Sequence, residues 1–149
     1  MADPRTPVQE LTADQFVALV FAATDEQIEE GIRAAGTAQV RDRIFAEMGR
    51  RFLPERAPGL EAEIQWIVTD GAEEHPYRMA FGEGRCSAGR GRAERPTATL
   101  KMDLVSFANL VAGRRDGVQL WMLHRLKVQG EVLQAVRLQG YFDRPKRPR

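Results

Sequence analysis

The residues with obvious chemical capacity are few in this 149-residue chain: one cysteine, two histidines and a glycine-arginine run. Gly84-Arg-Cys-Ser-Ala-Gly89-Arg-Gly91 approaches the phosphate loop G-x-x-x-x-G-K-[ST]. It departs where the chemistry lies. Arg90 stands for the lysine and Gly91 for the hydroxyl residue that would hold magnesium. Pro96 and a strand pattern follow, instead of an apolar helix. The same arginines would suit single-stranded nucleic acid, but that also needs stacking aromatics. Phe81 is the sole aromatic between Arg78 and Lys101, so a solvated edge or loop accounts for the run better.

Histidine chemistry rests on His75 and His124. His75, in Glu73-Glu74-His75-Pro76, belongs to an exposed turn between strands. His124 follows Trp121-Met122-Leu123 at the end of a short apolar segment. There an imidazole can cap the helix C-terminus. Alternatively it can act as a weak candidate acid/base, with Glu131 as orienter. No G-x-S-x-G elbow and no metal-binding histidine pair accompanies it. The lone Cys86 excludes an internal disulfide and a cysteine zinc cluster. No metal and no cofactor are expected.

Apolar patterning is the stronger signal. Thr12-Ala-Asp-Gln15 and Thr24-Asp-Glu-Gln27 are capping boxes, each announcing a helix. The first runs to about Ala22 with Phe16, Leu19, Val20 and Ala23 on one face; the second spans Asp25 to Ala35 and stops at Gly36. A third follows Thr37 with the stripe Val40, Ile44, Phe45 and Met48, closed by Pro54 and Pro58. The period then switches to two. Leu60, Ala62, Ile64, Trp66 and Val68 form a dry face against the wet Glu61, Glu63, Gln65, Ile67 and Thr69. Asp70-Gly71 turns the chain, and Tyr77, Met79 and Phe81 continue the dry face. Gly82 to Arg95 fits either a poor edge strand around Arg85 to Ala88 or a loop.

Thr97 to Met102 alternates as a strand, and Asp103 caps a helix from Leu104 to Ala112 that ends at Gly113. Asp116-Gly117 opens a short helix through Leu123, Leu126 to Gly130 is the last strand, and Glu131 to about Phe142 the last helix. The sum is α+β: helices over one face of a mainly antiparallel sheet. Residues 1–23 make a leader and an extra helix, 24–142 the domain, and 143–149 a basic disordered tail.

Net charge of +1 argues against a nucleic-acid partner. The longest apolar run, Phe16 to Ala23, is shorter than the ~20 residues a membrane span needs and follows acidic residues, not a basic n-region. The expectation is a cytoplasmic protein whose membrane contact is at most transient.

The late segment Thr97-Ala-Thr-Leu-Lys-Met102, Phe107 to Gly113, Leu120-Trp121 and Arg125-Leu-Lys-Val-Gln-Gly130-Glu131 resembles the sterol carrier protein type 2 family. Ile64-Gln-Trp66-Ile-Val68 with Asp70-Gly71 resembles that family's first strand and turn, so the likeness covers roughly Thr24 to Phe142. It departs at His124, where the family usually has glycine, and at Glu131, where Asp or Asn is commoner. The resemblance implies about five strands, helices over one face, and a hydrophobic tunnel. It also implies a partner that is a lipid or other hydrophobic small molecule, such as a sterol, fatty acid or acyl-CoA. Trp66, Met79, Phe81, Phe107, Leu110, Trp121 and Val136 are the lining expected on this reading. Two alternatives stand beside it: an accessory enzyme using the tunnel as a reaction chamber, and an interaction module in which the first helix makes a homodimer contact.

Overall fold

The computed structural model describes residues 12–145. The leader up to Glu10 and the last four residues of the tail lie outside them. Both capping boxes form: Thr12 and Thr24 accept from the backbone of Gln15 and Gln27, whose side chains bond back. They start α1 (Ala13–Ala22) and α2 (Asp25–Ala35), and α3 (Thr37–Arg50) follows at Gly36, whose φ of 100° lets the chain turn. α1 buries Val17 and Val20, so its inward face is rotated from the expected one and Leu19 is only half-buried.

The sheet has the order β3-β2-β1-β4-β5. Its strands are β1 (Ala62–Asp70), β2 (Glu73–Gly82), β3 (Arg85–Arg90), β4 (Ala98–Asp103) and β5 (Leu126–Gly130). Every neighbouring pair is antiparallel except β1 and β4, which run parallel at the centre. The segment from Gly82 to Arg95 thus resolves in favour of an edge strand. A two-residue turn builds it, with Glu83 and Gly84 at φ 53° and 72°, the sign a twisted hairpin requires. His75 also moves: it lies within β2, half-buried and 3.3 Å from Glu73, because the ladder with β1 extends to Asp70 and Glu73.

Register places Ile64, Trp66 and Val68 of β1 beside Met79 and Tyr77 of β2 and beside Ala98, Leu100 and Met102 of β4. Leu100 in turn pairs with Val128. These residues share the face covered by helices, and all but Val128 are buried. The opposite face of β1 is not simply wet. Gln65 and Ile67 are buried there too. Gln65 Nε2 donates to the carbonyls of Tyr77 and Gly91, and its Oε1 accepts from Ala93 N at 2.6 Å. The stretch after β3 therefore folds back over the sheet's second face. Single-strand alternation cannot reveal a cover supplied by a distant loop.

After β4 come α4 (Leu104–Ala112), α5 (Gly117–Met122) and, beyond β5, α6 (Val132–Leu138). The last helix is shorter than expected: it tightens into a 3-10 turn at Gln139–Tyr141. There the chain leaves to bond the end of α3, with Leu53 N on Tyr141 O and Asp143 N on Arg51 O. Phe52, Phe81, Tyr141 and Phe142 pack edge to face around that junction.

Candidate functional site

Between the helix-covered face of the sheet and the C-terminal helices lies a cavity of about 520 Å³. Its floor is Trp66, Leu100, Met102 and Val128, supplied by three adjacent strands. Met48 of α3 with Leu110 and Val111 of α4 form one wall. Val118 and Trp121 of α5 and Val132 and Val136 of α6 form the other. Because all four of the latter are at least half exposed, the cavity opens to solvent between α5 and α6.

Local rules set this geometry. Asp116 and Gln119 make a reciprocal capping box that starts α5. Gly117 sits where a Cβ would lie 2.7 Å from Gln139 Nε2, so glycine lets α5 close onto the end of α6. Gln139 Oε1 accepts from Gly117 N at 3.1 Å and fixes that approach. α5 ends in a Schellman motif: His124 N bonds Trp121 O and Arg125 N bonds Leu120 O.

Polar groups reach the cavity sparingly. Trp66 is 2% exposed, and its Nε1–H has no partner. Arg115 also lines the space, with a buried Nε lacking one. Arg51 is held by Glu47 at 3.3 Å, and Asp116 is engaged in its cap. Both nitrogens are shielded from the open space by packed atoms, so the lining that a guest would meet is mainly apolar.

Of the expected lining residues, Trp66, Leu110, Trp121 and Val136 face this cavity. Met79, Phe81 and Phe107 are packed in the core instead. Phe107 stacks on Phe45 at 4.8 Å and meets the edge of Trp66 at 5.8 Å, so it packs beside the floor within the core. Phe81 belongs to the aromatic junction with Phe52 and Phe142. Leu100 and Val128 were missed, although strand register could have found them, since both share the face of Trp66. Arg115 carried no periodic signal at all.

His124 is exposed and outside the cavity lining. Its backbone is left-handed, with φ 58°. The Schellman geometry demands the left-handed conformation whatever the side chain. Cys86 offers no nucleophile either: burial pushes its thiol up to about 12. Among the described residues no group of three or more His, Cys, Asp and Glu could hold a metal ion, and no helix is long and apolar enough to cross a membrane.

Residues 45–143 match the SCP-2 sterol transfer family. The chain is similar in fold to sterol carrier protein 2 from Yarrowia lipolytica, with a TM-score of 0.54 and 19% identity over 69% of this chain and 86% of that one. It is similar to palmitated SCP2L2 from Aedes aegypti, with a TM-score of 0.53 and 15% identity over 68% and 88%. A stereoselective inverting sec-alkylsulfatase, Pisa1 from Pseudomonas sp., gives a TM-score of 0.63 at 16% identity over 77% of this chain. The chain spans only 17% of that sulfatase. A comparison with curated protein sequences found no match.

Proposed function

The chain belongs to the SCP-2 sterol transfer family, and on that premise we propose that it binds and carries a hydrophobic small molecule or lipid in the cavity beneath α5 and α6. The observation that carries the reading is the cavity itself. Its volume of about 520 Å³ falls within the range of small-molecule sites, and its floor and walls are mostly apolar. Apolar burial supplies the affinity, at about 25 cal/mol per Å² of surface removed from water. Arg115, at the cavity lining, supplies orientation, favouring a ligand with an acceptor at one end. Fatty acids, sterols and acyl-CoA all meet that description. The palmitated SCP2L2 structure supports a long-chain acid as the first probe. On this reading the protein works in the cytoplasm as a carrier without a cofactor.

The test is titration with a fluorescent fatty-acid or sterol analogue. Wild type should bind in the micromolar range. Val128→Trp fills the cavity from its floor and should weaken binding by at least about tenfold, or 1.4 kcal/mol. Binding that survives the filled cavity would place the ligand elsewhere and refute the assignment.

A further inference from the structure

A second, smaller pocket of about 80 Å³ lies where α1 meets α3 and the end of α4. α1 packs mainly on α4 and leaves this gap against α3. Phe16 and Val17 of α1, Val40 and Ile44 of α3, and Val111 of α4 make its walls apolar. Met48, Arg51, Val111 and Pro145 line both this pocket and the main cavity, so the two spaces share a wall. The charged member of that wall, Arg51, is drawn to Glu47 at 3.3 Å. Met48 is half-buried, and its unbranched thioether side chain can swing aside where a branched one could not. α1 lies wholly before residues 45–143 that match the family, so the pocket is an addition to the shared domain.

From this shared wall we propose that the pocket under α1 is a subsite for the far end of a long, unbranched acyl chain, reached between Met48 and Val111. The inference rests on the carrier reading and adds chain-length selectivity to it. Volume sets the length. A group the size of a water molecule takes about 30 Å³, and a methylene is of similar size. On that scale the main cavity of about 520 Å³ holds about seventeen such groups, and the pocket of about 80 Å³ adds about two or three. Laurate and palmitate therefore fit the cavity alone, whereas arachidate, a longer saturated acid, overfills it and needs the pocket. Each methylene moved from water into apolar surroundings strengthens binding about fourfold. A pocket this small takes the end of a flexible chain and has no room for a fused ring system.

Displacement of a fluorescent fatty-acid probe by laurate, palmitate and arachidate tests it. In wild type, arachidate should compete at least about tenfold better than palmitate. Ala13→Trp fills the pocket from the first turn of α1, and Ala13→Asp sets a carboxylate there while suiting a helix N-terminus. Both should remove the advantage of arachidate and change laurate and palmitate binding by less than about twofold. Arachidate no better than palmitate in wild type, or a loss shared equally by all three acids in the variants, would overturn the subsite and leave the carrier reading standing. So would a length preference that appears only in Leu11→Ser, which would assign the pocket to the chain's own leader. If neither the probe nor any of the acids binds, the carrier reading fails and the subsite falls with it.

Discussion

His124 shows how a single residue can conflict with the backbone it occupies. Left-handed conformation costs a residue with a Cβ roughly 1–2 kcal/mol, part of which histidine recovers by loosely fitting the Schellman turn. The equivalent turn after α4 has Gly113, at φ 79°, and pays no such cost. His124→Gly should therefore raise stability by about 1 kcal/mol, read as a higher urea midpoint at unchanged slope. A lower midpoint would show that the imidazole makes a stabilising contact that outweighs the strain. The sequence disclosed the helix end at His124 but not its φ, because histidine is an uncommon occupant of that position. Trp66 was legible in the opposite way. Alternation along β1 was enough to place it inward, whereas the partnerless Nε1 and the lining position of Arg115 emerge only once α4 and α5 are in position.

At the scale of elements, chain-local signals were accurate where local physics decides. Capping boxes, Gly36, Gly113 and the alternation of β4 all appear as anticipated. Such signals are silent where long-range pairing decides. The parallel alignment of β1 with β4 and the shelter of Gln65 and Ile67 both depend on segments some thirty residues apart. Gly130 joins the two kinds of evidence. It has φ 88°, and a Cβ there would lie 2.6 Å from Thr97 O, a backbone atom of the segment leading into β4. Gly130→Ala should cost about 2–3 kcal/mol, through strain plus displacement of β5 from β4. A midpoint within error of wild type would mean the β4–β5 junction can yield. Asp42 ties α3 to the sheet: Tyr77 Oη donates to it at 2.5 Å, and Arg90 grips both its oxygens. The Arg90 hydrogen bond, opposed by burial, holds the carboxyl below its ordinary value. A depressed folded value means the stabilisation is present at neutral pH and lost as pH falls through it. Asp42→Asn should cost about 1 kcal/mol near neutrality, since the pair is partly exposed, and the gap from wild type should close towards about pH 2. A gap independent of pH would show that packing, not charge, is what the carboxylate contributes.

Across the whole molecule the chain divides its labour. The first three helices and β1 to β3 surround the Phe45, Tyr77 and Phe107 stack, where rings at 4.1 Å and 4.8 Å leave no room for a guest. The C-terminal helices cover the other half of the sheet loosely and leave the cavity. Composition could not distinguish these halves, because the same residue types fill a core and line a pocket; Met79 and Phe107 went to the first, Trp121 and Val136 to the second. Native mass spectrometry of the freshly purified chain tests the central claim most directly. The account predicts an apolar molecule bound one to one in wild type, released by organic extraction and missing from folded Val128→Trp. A wild-type chain that carries no bound mass, and that gains none after incubation with excess palmitate, would contradict it.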